Sequence, residues 1–239
     1  MLDKAVALRE KQGGKRDLSD ALCAQAFVLA RTGSVDQSLV VGRRCVALAE
    51  EELGPLHPAV ALALNNGLLN GLSAKGDYAG IETVLRRILA IQESAEGPEH
   101  ADVALTLRGL SIPLRRLKRC GEALDPLHRS IRIYEKEMPA SAVSLCSALT
   151  MLGACLVDVS RPAEAREALE RSYQLLSTAP SPPPDAFAET RFHLARALWD
   201  SGASRERARA LAMEARNGYS KFPYMANDLA EADRWLKEH

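Results

Sequence analysis

Leu53-Gly54-Pro55-Leu56-His57-Pro58-Ala59-Val60-Ala61 returns further along the chain as Glu96-Gly97-Pro98-Glu99-His100-Ala101-Asp102-Val103-Ala104, with His57 and His100 43 positions apart. A second landmark recurs at the same interval: Thr32-Gly33-Ser34, Lys75-Gly76-Asp77, Leu117-Lys118-Arg119, Val159-Ser160-Arg161 and Ser201-Gly202-Ala203. Their centres stand at 33, 76, 118, 160 and 202, giving steps of 43, 42, 42 and 42 residues. Self-similarity at a fixed period of this size is the mark of a repeat architecture, in which each unit stacks only on its neighbours.

Each unit reads as two helices. Apolar residues at helical spacing precede the turns, as in Leu105, Leu107, Leu110, Leu114 and Leu117. Seven residues before each centre stand the small residues Ala26, Ser111, Gly153 and Ala195, with Leu69 the exception, and a small residue there lets two helix backbones approach closely. Five residues after the centre come Ser38, Ile81, Ala123 and Ala165, and the fifth unit is shifted by one to Ala208. Gly54-Pro55, Gly97-Pro98 and Met138-Pro139 stop the second helices. The proline run Pro182-Pro183-Pro184 makes the longest connection a semi-rigid spacer.

Composition narrows the function. The 239 residues carry 31 Lys+Arg against 31 Asp+Glu, so no general electrostatic grip on nucleic acid or an acidic membrane is expected. Apolar residues reach 47% while aromatics are 5%, which suits closely packed helices better than a β-sandwich. No apolar run approaches the roughly 20 residues of a bilayer span, and the first residues lack a signal-peptide layout. A soluble, cytoplasmic protein is the expectation. Cys23, Cys45, Cys120, Cys146 and Cys155 are odd in number and form no C-x-x-C pair, so they are expected to be reduced, small apolar residues in helix interfaces.

Turn-flanked helix pairs with small residues at these positions resemble tetratricopeptide repeats (TPR). The 42-residue period, the Gly-Pro-x-His-x-x-Val-Ala connector, Leu64-Asn65-Asn66, Gly76-Asp77-Tyr78 and Arg86-Arg87-Ile88-Leu89-Ala90-Ile91 are similar to the kinesin-light-chain type. The later units lack the Gly-Pro-His connector. The resemblance implies an all-α, right-handed TPR solenoid of about five helix pairs forming one domain over 1–239. Its expected parts are a lone helix at 2–12, repeats at about 17–54, 58–97, 101–138, 141–178 and 185–221, and a capping helix at 224–237. Leu2 to Gln12 reads as a second helix without its partner, either the start of a fragment of a longer protein or a native lead-in. A shorter likeness, carried by Arg207-Ala208-Arg209-Ala210-Leu211-Ala212, Tyr219 and Trp235-Leu236, is to TPR regions attached to bacterial serine/threonine kinases.

Catalytic signatures are missing. Gly13-Gly14-Lys15 lacks the spacing of a phosphate loop, and no kinase motif is present. His57 and His100 occupy equivalent connector positions that suit helix capping. No catalytic residue, cofactor or metal is expected. The reading is a non-catalytic protein–protein interaction scaffold, a regulatory part of a larger signalling protein. Its alternatives are a cis-regulatory TPR region of a serine/threonine kinase or a ligand-sensing TPR region of a transcription regulator.

A helical solenoid exposes a concave surface, lined here by first-helix residues three, six and ten places before each turn centre. That rule and its neighbours select Asn65, Asn66, Asn70, Arg108, Arg115, Arg116, Thr150, Phe192, Arg196 and Trp199 as partner-binding residues. The resemblance implies that an Asn at the place of Asn65 and Asn66 contacts peptide. Arg108, Arg115 and Arg116 suit an acidic or phosphorylated segment, or form a plain solvated face. Phe192 and Trp199 either make an apolar pocket beside Arg196 or pack on the proline spacer or the terminal helix.

Overall fold

The structure, a computed structural model, describes residues 6–10, 14–137 and 142–239. All regular structure among them is helical. The chain divides into two compact units, Met1–Leu117 and Lys118–His239. The first unit holds α1 (Lys15–Arg31), α2 (Val35–Leu53), α3 (Pro58–Leu64), α4 (Asn70–Lys75), α5 (Tyr78–Glu96) and α6 (Ala101–Arg116). Residues 6–10 are also helical, and Val6 is buried in the core of this unit. The second holds α7 (Cys120–Glu137), α8 (Ala142–Asp158), α9 (Pro162–Thr178), α10 (Pro184–Asp200), α11 (Arg205–Tyr219) and α12 (Ala226–Glu238), the last entered through a single 3₁₀ turn at Pro223–Met225. The expected stop at Met138-Pro139 and most of the expected helix 2–12 lie outside the described residues.

The turns close as their spacing demands. Gly33, Gly76, Lys118, Ser160 and Gly202 all have positive φ, between 59° and 86°. The residue after the turn centre donates back five positions in four cases: Ser34 N–H to Leu29 O, Asp77 to Leu72, Arg161 to Leu156 and Ala203 to Leu198. This wider bond satisfies helix-end carbonyls and forces the left-handed residue, which costs an L side chain about 1–2 kcal/mol. At the other ends His57 and His100 cap their helices, each Nδ1 accepting from a backbone N–H two residues on, at 3.1 and 3.2 Å.

The second helix pair carries an irregularity with a sequence cause. His57 stands 19 residues before its turn centre and His100 only 18 before its own. One extra residue in a helix would rotate everything beyond it by about 100°. A π turn at Asn65–Leu69, joining α3 to α4 as one continuous helix, takes up the surplus and keeps both halves in register. It also resolves the exception at Leu69, because the close helix approach is made by glycines on either side of it. A Cβ on Gly42 of α2 would collide with the carbonyl oxygen of Gly67, and one on Gly71 would meet Leu39 Cδ2 at 2.8 Å and Ser38 Oγ at 3.0 Å. Ser38 Oγ itself donates to Ala26 O at 2.7 Å, tying α2 to α1.

One expectation is corrected. Cys23 and Cys45 are joined as a disulfide between α1 and α2, with Cα atoms 5.5 Å apart, within the range such a bridge requires. The spacing rule missed it because an antiparallel hairpin brings together positions lying on either side of its turn, whatever their separation in sequence. Cys120, Cys146 and Cys155 are free and buried.

In the second unit α8 is apolar nearly all round and buried accordingly. Gly153 of α8 leaves room for the Leu169 side chain, and Ala188 sits against Gly218 between α10 and α11. The interior holds a chain of hydroxyls: Thr150 Oγ1 lies 2.9 Å from Ser172 Oγ and 2.8 Å from Thr190 Oγ1. Ser172 donates to Cys146 O, and Thr190 donates to Ala186 O.

Two stability measurements check this account. Ser160→Gly relieves the left-handed strain without removing a packed side chain, so urea unfolding should show a gain of about 1 kcal/mol. Gly42→Ala should cost at least about 1–3 kcal/mol in the same assay, because the added methyl meets backbone that cannot rotate away.

Candidate functional site: a two-pocket groove in the first unit

The first unit carries two cavities that share a wall. The larger, about 590 Å³, lies among α1, the end of α2 and α3, with Cys23, Phe27, Val28, Leu62, Ala63 and Asn66 in its lining. The smaller, about 420 Å³, lies among α3, α5 and α6, with Leu62, Asn65, Leu85, Ile88, Leu105 and Thr106. Leu62 borders both and is 64% exposed, so it stands as the ridge between them. Phe27, Val28, Leu105 and Ile112 are also large apolar residues left open to solvent.

Asn65 and Asn66 sit at the crest of this ridge, where the π turn begins. Consecutive helical residues point about 100° apart. Asn65 therefore enters the lining of the smaller pocket and Asn66 that of the larger. Both are exposed, and Asn65 Nδ2 donates to Asn66 Oδ1 at 3.1 Å. Carboxylates border the openings: Asp20 and Glu52 at the larger pocket, with Arg16, and Glu96 and Asp102 at the smaller. The groove thus combines apolar depth, an amide crest and a mainly acidic edge.

The other sequence-selected residues separate sharply by unit. Asn70 and Arg108 are half-buried, Arg115 is half-buried and Arg116 is exposed, all in the first unit. Arg108 and Arg115 each already have an interaction within the chain. In the second unit the same register positions are filled. Thr150 is the centre of the buried hydroxyl chain, and it offers no side-chain surface to a partner. Phe192 is 2% exposed, packed edge-on against Tyr219 and Trp235. Trp199 meets Trp235 and His239 of the terminal segment, and Arg205 lies over its ring. Arg196 pairs with Asp158 at 3.0 Å and with Glu231 of α12 at 3.6 Å. Of the two readings open for Phe192 and Trp199, packing on the terminal helix is the one observed. Sequence reasoning missed Leu62 and Leu105 as presented residues. Their signal was the connector: both stand five residues after their histidine.

Little in the described residues suits a cofactor or metal. Glu96, His100 and Asp102 bring ligand atoms within 4.8 Å of one another, but all are exposed and His100 Nδ1 is engaged in capping α6. Burial pushes the Cys146 thiol above its ordinary value, against a partial offset from Ser172, which leaves it a poor nucleophile. No helix is long and apolar enough to cross a membrane, among the described residues.

Residues 70–136 match the tetratricopeptide repeat family model. No curated protein matches the chain. Solved structures with the same fold include the TPR-like repeats of a Podosopora anserina protein named as a kinesin light chain. That match has a TM-score of 0.71 and 21% identity, covering 88% of this chain and 98% of that one. BtubC (BKLC) from P. vanneervenii matches with a TM-score of 0.74 at 15% identity, covering 92% of this chain and 87% of that one. YrrB, described as a TPR protein with an unusual peptide-binding site, matches with a TM-score of 0.57 at 16% identity, over 99% of this chain and 97% of that one.

The contrast between the units is measurable. Phe192→Ala should cost about 3–5 kcal/mol in urea unfolding, as a filled core position does. Phe27→Ala, at a residue 39% exposed, should cost well under half of that. Equal losses would show that Phe27 belongs to the core and not to the groove.

Proposed function

Taking the tetratricopeptide-repeat fold as premise, we propose that this chain is a non-catalytic protein–protein interaction scaffold that holds a peptide segment of its partner in the groove of the first unit. The observation that carries the reading is the pair of pockets on either side of Leu62, crested by Asn65 and Asn66. Pockets for side chains with an amide crest between them are the parts needed to seat a peptide: apolar depth supplies affinity, and an amide pairs with backbone. A fold shared with a protein described as peptide-binding supports the same use.

The finer expectation of an acidic or phosphorylated partner leaned on Arg108, Arg115 and Arg116. With Arg108 and Arg115 already engaged and carboxylates around both openings, the groove itself gives that preference little support. The proposed contact residues are therefore Leu62, Asn65, Asn66 and Phe27, with Asn70 and Arg116 at the periphery.

Selection of peptides from a random display library against the purified protein tests the assignment. Leu62→Asp puts a charge on the ridge of both pockets and should weaken the selected peptides at least about tenfold, and Asn66→Ala somewhat less. Melting temperature should stay unchanged, because both residues are exposed. Arg171→Ala, which removes an ion pair to Glu135 in the second unit, is the control and should not alter binding. Selected peptides that bind Leu62→Asp as well as the parent protein would place the binding surface elsewhere.

A further inference from the structure

We propose that the peptide received by this groove is a proline-rich segment in the polyproline II conformation, with apolar side chains three residues apart and a lysine or arginine beside them. The inference rests on the reading of the groove as a peptide site and names the class of peptide.

Spacing is the first argument. The two pockets lie on either side of one helix, α3, so they repeat at about the distance of packed helices, 8–10 Å. Three residues of polyproline II advance about 9 Å and bring the side chain back to the same face. A β-strand places same-face side chains about 7 or 13 Å apart, a poorer match to that helix spacing. An aromatic wall suits proline rings, and Phe27 supplies one in the larger pocket.

Hydrogen bonding is the second. Asn66 Oδ1 accepts from Asn65 Nδ2, which leaves the Asn66 NH₂ to donate outward and Asn65 Oδ1 to accept. A proline-rich backbone has carbonyls in plenty and few N–H groups, and in polyproline II none of them is paired internally. The Asn66 NH₂ on the crest therefore matches that carbonyl-rich backbone.

Charge is the third. The openings carry the carboxylates of Asp20, Glu52, Glu96 and Asp102 against the single guanidinium of Arg16. At the smaller opening, Glu96 and Asp102 lie 2.9 and 3.9 Å from His100 Nδ1, the atom that caps α6. Asp20 and Glu52 have no ion-pair partner among the described residues and are exposed. A cationic side chain flanking the anchor in the larger pocket is the complement they lack.

Fluorescence polarisation with three labelled peptides of about 12 residues provides the test. The first is proline-rich with two leucines three positions apart, followed by two arginines. The second replaces the arginines with glutamates, and the third keeps leucines and arginines but replaces every proline with threonine. The first should bind, lose at least about tenfold with Leu62→Asp, and lose about fivefold with Asp20→Asn and Glu52→Gln combined, the latter loss fading in high salt. The second should bind at least about fivefold more weakly than the first. Equal or tighter binding by the second or the third peptide overturns the proposal, while sensitivity of that binding to Leu62→Asp would leave the groove as the peptide site. Absence of binding by the first peptide also overturns it, and display-selected peptides then decide the broader reading independently.

Discussion

Gly42 of α2 and Gly67 of the π turn that follows α3 meet with no side chain between them, and a Cβ on Gly42 would run into the Gly67 carbonyl. That backbone contact sets where α3 lies, and the groove takes its shape from α3. Leu62 reaches into both pockets, and Asn65 and Asn66 stand on the crest, because the helix is held close to α2 at Gly67 and Gly71. Close-packed interiors transmit such a constraint over several residues, since neighbours have no free volume in which to absorb a shift. The π turn belongs to the same arrangement: it accommodates one additional residue while keeping both glycines on the packed face.

The two units spend the same repeat pattern differently. In the first, Phe27, Asn66, Asn70 and Ile112 in that register are wholly or partly open, while Cys23 and Ala30 are buried. In the second, Thr150, Ala154, Val157 and Phe192 fill the equivalent places and are buried, while Arg196 is drawn into ion pairs with Asp158 and Glu231. The terminal helix α12 contributes Trp235 and Glu231 to that closure. A repeat array can thus devote one part to packing and another to presentation without altering its backbone plan.

The chemistry of the open part is asymmetric as well. Apolar pockets are common to many recognition surfaces, and on their own they discriminate little between ligands. Direction and selectivity come from the few polar groups placed around them. Here those groups are an amide pair, held in one orientation by its own hydrogen bond, and carboxylates at the mouths. The chain's overall neutrality means that this local charge is not swamped by a field from the rest of the protein.

Much of the fold was legible in the sequence. The five turn centres read from glycine and its substitutes are the residues with left-handed φ, and the two connector histidines cap the helices that follow them. Local rules suffice there, since a helix end needs its donors and acceptors satisfied whatever surrounds it. The amide pair on the crest was legible too, through its place in the repeat. The remainder depended on long-range packing. Cys23 and Cys45 pair because an antiparallel hairpin folds them together, and Thr150 and Phe192 are interior because neighbouring helices close over them, whereas Asn66 and Arg108 in the same register stay wholly or partly open. Sequence period fixes which residues share a helix face. Whether that face meets solvent or another helix is decided only when the helices pack, because burial is a property of the assembled surfaces and not of any one of them.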